Sequence, residues 1–140
     1  MNPIQAVIDT NVLVAAWRSR NGAAYRLIAS FIEGDDRWQW NVSTAAIFEY
    51  EEILTRQGFD PSLVTQFLDD LVERANRITI YFLSRPALLD SDDDFLLDLA
   101  VASGSEVIVT YNTRNFLPAR SVGIRVLAPK DFLDTLKKEA

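Results

Sequence analysis

The stretch that decides the fold is Glu106–Thr110, EVIVT, set between Gly104 and Asn112. Its centre is an unbroken β-branched run with no polar alternation. That is the pattern of a strand covered on both faces, and such strands belong to parallel sheets. Parallel strands need crossover connections, usually helical, and the flanks supply them. Upstream, Ser91 or Asp92 is placed to cap a helix running to about Ser103, which Gly104 stops. Downstream, Asn112 starts a short turn or helix and Gly123–Leu127 reads as another strand. Pro129 then opens a last helix, Lys130–Lys138, with Lys137 and Lys138 at the end that the helix dipole favours.

The N-terminal half repeats the alternation. Ile4–Ile8 is a strand, followed by helical segments near Val12–Arg18 and Ala23–Glu33. Gly34, Asp35 and Asp36 form a break before a second strand, Trp38–Val42. Ser43 or Thr44 caps a helix to about Arg56, Gly58 ends it, and Asp60-Pro61 opens another helix to about Asn76. Arg77–Leu83, β-branched and aromatic, reads as a third strand broken by Pro86. The pattern predicts an α/β fold, a three-layer α/β/α sandwich with a five-stranded parallel sheet and helices on both faces. The 140 residues make one domain, 1–140, long enough to bury roughly 68–70% of the extended surface.

Composition narrows the chemistry. The chain has no cysteine and no histidine. Disulfides, thiolate catalysis, Ser-His-Asp triads and His- or Cys-ligated zinc are therefore excluded. A hydrolase built from these residues must use carboxylates, Lys, Tyr, hydroxyls, backbone amides or a metal. An all-oxygen site selects hard cations such as Mg²⁺ or Mn²⁺. The net charge of −6 argues against a whole surface that attracts nucleic acid, but leaves room for a local basic strip from Arg18, Arg20, Arg26, Arg114 and Arg120. No stretch of about 20 apolar residues is present to span a membrane. The apolar N-terminal run has no preceding Lys or Arg and breaks at Asp9, unlike a secretory signal. A cytoplasmic protein is expected.

Sites in open parallel sheets form outside the carboxyl ends of the strands, at a topological switch point. Asp9 directly follows the first strand in V-I-D-T-N-V-L-V. Asp92, Asp93 and Asp94 open the helix after the third. Asn112 follows the fourth by two residues, and Glu49 lies about two turns into the helix after the second. Each has a plainer alternative. Asp9 could be a helix N-cap, the D-S-D-D-D run (90–94) could serve the helix dipole, and Glu49 could be a solvated edge residue beside the Ala46, Tyr50, Ile53 stripe. Like charges crowded at a helix start repel, and a bound cation compensates them. Trp17, Trp38 and Trp40 could stack on bases, although tryptophan in an apolar pattern more often belongs to a core. Tyr111, beside Asn112, is the better stacking candidate.

Four blocks, in order, resemble the PIN-domain family, in its subgroup of VapC-like toxins from toxin–antitoxin pairs. They are V-I-D-T-N-V-L-V-A-A (7–16), V-S-T-A-A-I-F-E-Y-E-E-I-L (42–54), D-S-D-D-D-F-L-L-D-L-A (90–100) and V-I-V-T-Y-N-T-R-N-F (107–116), with G-I-R-V-L-A-P-K-D-F-L (123–133) as a matching tail. The resemblance implies a Mg²⁺- or Mn²⁺-dependent ribonuclease cutting single-stranded RNA with metal-activated water. By motif position, Asp9, Glu49 and Asp93 are the catalytic metal ligands, with Asp94 a neighbour able to substitute. Thr10 or Asn11 would orient Asp9, with Ser43 and Asn112 also in supporting positions. Arg18, Arg20, Arg114 and Tyr111 would contact RNA. The resemblance further implies a homodimer and a small antitoxin partner. The chain departs from the fullest pattern in carrying Asn112 and Asn115 where acids can occur, which predicts weaker metal binding. A weakened domain that only binds RNA or antitoxin is the alternative. A haloacid-dehalogenase-type phosphatase fits poorly, because Asn11 stands where a second Asp is needed.

Overall fold

The computed structural model describes residues 2–80 and 94–139. Its elements run β1 (Ile4–Ile8), α1 (Thr10–Arg18), α2 (Ala23–Ile32), β2 (Trp38–Val42), α3 (Thr44–Arg56), α4 (Pro61–Arg74), β3 (Asn76–Arg77), α5 (Asp94–Ala102), β4 (Val107–Val109), a 3₁₀ turn (Thr113–Phe116), α6 (Leu117–Arg120), β5 (Arg125–Leu127) and α7 (Pro129–Glu139). The expected five parallel strands are present, in the order β3-β2-β1-β4-β5. The chain builds outward from β1 to β3, then returns to lay β4 on the other side of β1. That reversal makes the β1/β4 boundary the switch point, where the two connections diverge and leave a crevice.

Local chemistry explains most boundaries. Ser43 caps α3, its Oγ accepting from the Ala46 N–H at 3.1 Å. Asp60 caps α4 by accepting from the Ser62 N–H at 2.9 Å, with Pro61 at the first helical position. Gly34 turns the chain out of α2 at φ 110°, a conformation that costs glycine nothing. Asp35 then clasps Arg37 through the Arg37 N–H and Nε at 3.0 Å each and Nη2 at 2.7 Å. Those bonds hold the Asp35 carboxyl below its ordinary range.

The third strand is shorter than expected. Of Arg77–Leu83 only Arg77 is strand, preceded by Asn76, while residues 78–80 are not. The remaining expected residues lie outside the described part. The cause is the partner. β3 pairs with Asn41 and Val42, and β2 ends at Val42 because Ser43 turns the chain into α3. The Ile78 N–H takes the Val42 carbonyl at 2.8 Å, and the ladder has no further rung. The cap expected at Ser91 or Asp92 also lies outside the described residues.

One face of the sheet carries an aromatic core. Trp38 and Trp40 stack at 5.8 Å, Phe31 of α2 sits 4.8 Å from Trp38, and Phe132 of α7 meets Trp38 edge-on at 5.5 Å. Both tryptophans are sealed from solvent. Each buries roughly 150–250 Å², about 4–6 kcal/mol at 25 cal/mol per Å². Trp17 is partly buried against Phe59 and Phe67. The core alternative for these three residues therefore holds. Helix α5 packs against β1 and β2. No helix among the described residues is long and apolar enough to cross a membrane.

Candidate active site

Asp9 sits where β1 ends, its N–H bonded to the Val109 carbonyl of β4 at 2.9 Å. It occupies the N-cap position of α1, yet its side chain makes no capping bond. The backbone carbonyl serves the helix instead, accepting from the Val12 N–H at 3.0 Å. The carboxylate, only 7% exposed, plays no part in capping the helix. Its Oδ2 accepts the Thr110 hydroxyl at 2.7 Å.

Thr110 is the hub of this rim. Buried at the end of β4, it donates to Asp9 and accepts from the Asn112 N–H at 2.9 Å and from Asn11 Nδ2 at 3.4 Å. One donor and two acceptor sites exhaust a hydroxyl. Asn11 Oδ1 in turn accepts from the Tyr111 N–H at 3.3 Å. The loop after β4 is thereby stitched to the first turn of α1.

Glu49 approaches from α3. Its Oε2 accepts the Thr10 hydroxyl at 2.7 Å. The depth of α3 is set by the next residue, Tyr50, whose phenol donates to the Ile8 carbonyl at 2.5 Å and accepts from Trp40 Nε1 at 3.4 Å. Complete burial raises the Tyr50 pKa far above its ordinary value, and the negative charges of Asp9 and Glu49 add to the effect while the Trp40 bond opposes it. Tyr50 stays protonated and keeps its donor. A residue anchored one position before Asp9, and lying one position after Glu49, brings the two acids to one place.

Asp9 and Glu49 line one cleft of about 680 Å³ between α1 and α3, with Thr10, Asn11, Val14 and Arg18. Asp93 lies outside the described residues, and Asp94 begins α5. Among the described residues no three acids stand close enough to share an ion. What is described is a pair of carboxylates with hydroxyl neighbours, a hard, oxygen-only donor set of the type that suits Mg²⁺ or Mn²⁺. Asp98, one turn into α5, is a further buried carboxylate that the sequence pattern did not single out.

Other expected residues disperse. The orienting bond to Asp9 comes from Thr110, where Thr10 or Asn11 was expected. Thr10 serves Glu49 and Asn11 serves the loop. The Ser43 hydroxyl is committed to its cap, and Ser43 lines a separate depression with Phe48 and Arg77. Asn112 is exposed and contributes its backbone N–H to Thr110. Tyr111 and Arg114 are exposed on the loop after β4. Arg20 lines a second depression with Trp17, Tyr25 and Phe67. Arg26 reaches the Asn21 carbonyl at 3.2 Å, and Arg120 lies beside β5. Arg18, Arg20 and Arg120 thus line three different depressions. Of them, Arg18 alone lines the acidic cleft.

A family model described as PIN domain matches residues 5–114. No curated protein sequence matches the chain. Solved structures share the fold at low identity. A chain of VapBC2 from Rickettsia felis, solved with a DNA fragment from its promoter, is 14% identical over 88% of this chain and 97% of that one, with TM-score 0.59. A chain of VapBC-1 from nontypeable Haemophilus influenzae is 13% identical, covering 91% and 99%, with TM-score 0.60. PAE2754 from Pyrobaculum aerophilum is 18% identical over 97% of each chain, with TM-score 0.58.

Proposed function

Because this chain belongs to the PIN-domain family, we propose that it is a Mg²⁺- or Mn²⁺-dependent ribonuclease and the toxin half of a toxin–antitoxin pair. One observation supports this above the others. Two acids on different elements share a cleft that opens at the carboxyl end of β1, between α1 and α3, and each has a carboxylate oxygen fixed by a threonine hydroxyl at 2.7 Å.

Asp9 and Glu49 would hold the ion, with Asp93 or Asp94 completing the set. When bound, the ion supplies Lewis acidity at the phosphate and acidifies water. The rest falls to the chain. Thr110 and Thr10 fix the carboxylate orientations, as outer-shell partners do in metal sites. The chain has no histidine, so the proton released on attack at phosphorus passes to a carboxylate or to solvent. Hydrolysis of single-stranded RNA would leave 5′-phosphate and 3′-hydroxyl ends. Asn112 in place of an acid leaves one tightly held ion.

The VapBC relatives are complexes. By likeness, this chain would act in the cytoplasm as a homodimer paired with a small antitoxin. The test is digestion of single-stranded RNA by the purified protein with Mn²⁺ or EDTA, beside Asp9→Asn. Loss of cleavage in both EDTA and the variant is expected; undiminished cleavage in both would rule the proposal out. The alternative, a weakened domain that only binds, is motivated by the exposed amide at position 112. It predicts no rise in melting temperature with millimolar Mn²⁺, whereas a working site is stabilised by mass action.

A further inference from the structure

The cleft between α1 and α3 has two chemically different ends. Thr10, Val14 and Arg18 face it from α1 at four-residue spacing, and Glu49, Ile53 and Gln57 face it from α3 at the same spacing. The outer rungs are bonded. Thr10 Oγ1 donates to Glu49 Oε2 at the acidic end, and Arg18 Nη2 donates to Gln57 Oε1 at the other. Eight residues separate the rungs on each helix, roughly 12 Å at about 1.5 Å per residue. Between them lie Val14, Ala15 and Ile53, an apolar strip.

We propose that the Arg18–Gln57 end is a second phosphate subsite, holding the phosphate of a nucleotide about two positions from the one being cut. This rests on the ribonuclease reading. A guanidinium presents five donors, and Gln57 engages one, holding the group at the cleft while others remain for an anion. No carboxylate among the described residues forms a salt bridge with Arg18. The apolar strip suits a ribose or base face. The occupant that matches an ion-binding end, an apolar middle and a cationic end is an extended single strand. Gln57 is a positioning residue acting through Arg18.

The test measures affinity and cleavage separately on the full chain, with oligouridylates of about two to six nucleotides. Affinity should step up about tenfold at the length that reaches Arg18. Arg18→Gln and Gln57→Ala should abolish that step, and Arg18→Gln should lower the salt dependence of binding by about one counterion. The step is read as the ratio of long to short oligonucleotide within each variant, so a general loss of activity does not imitate its loss. Both side chains are exposed, so the variants are expected to fold, and melting curves verify it. A wild-type protein without the step, or variants that keep it, would overturn the subsite. So would a defect confined to binding a protein partner. A step without any cleavage sustains the subsite and refutes the catalytic reading; cleavage without a step does the opposite.

Discussion

Two polar clusters sit in this sheet, one around Asn41 and one around Asp9, and they are resolved in different ways. Asn41 is the fourth of the five residues of β2 and has no exposure. Its Nδ2 donates to Gln5 Oε1 at 3.0 Å and Ser105 Oγ at 3.2 Å, and its Oδ1 accepts from Asn76 Nδ2 at 2.9 Å. Neutral groups satisfy one another, and three strands and a loop are held in register. The Asp9 cluster lies at the strand tips, has carboxylates as its acceptors, and opens onto a cleft. A buried polar group is tolerated when it is hydrogen-bonded, and a buried charge demands more. The neutral network therefore serves stability, and the charged rim is the cluster to which the proposed function gives a ligand.

That contrast makes predictions of decreasing size. Asn41→Leu removes the three bonds that tie Gln5, Asn76 and the buried Ser105 to β2 and should lower the unfolding free energy by about 1–3 kcal/mol, measured in urea, with cleavage per folded molecule unchanged. A matching loss of cleavage would erase the distinction between the clusters. Thr110→Val keeps the shape but removes the Asp9 donor. It should slow RNA cleavage by about 10–100-fold in single-turnover assays, with a smaller effect on melting. Tyr50→Phe removes the bond that sets Glu49 and should cost about 1 kcal/mol. With Tyr50 present, burial holds its pKa above the unfolded value. The stability this provides is complete below about pH 10 and declines as pH rises past it, because only the unfolded phenol ionises. Alkaline melts of wild type and Tyr50→Phe should show that decline in wild type alone.

The smallest effect concerns neither cluster and serves as a control. Asp35→Asn should cost under about 1 kcal/mol, as expected of a partly exposed ion pair. The folded Asp35 pKa is lowered by Arg37, so the contribution is present above about pH 4 and fades as pH falls further. Melting curves of the two proteins should converge in acid.

Much of this was visible along the chain. The β-branched centre of EVIVT announced a buried parallel strand, and Asp9 stood out as an acid closing an apolar run. Glu49 could be placed on the edge of its helical stripe, and Ser43 and Asp60 were identifiable caps. Thr110 was not visible as a functional residue, because a threonine ending a strand has ordinary β propensity. Its role exists only because β4 pairs with β1 and puts Val109 opposite Ile8. Gln57 was equally silent, a polar residue at a helix end. The short β3 was misjudged because strand length depends on the partner, and its own residues 78–80 still look β-prone.

The sequence by itself determined the alternation of elements, the parallel sheet and the absence of thiol and imidazole chemistry, since periodicity and residue inventory are local properties. The tertiary structure decided which acids meet and which hydroxyls hold them. Those contacts join residues 39 and 101 positions apart, and only strand order and helix packing, not the pattern of neighbouring residues, bring such distant groups within a hydrogen bond.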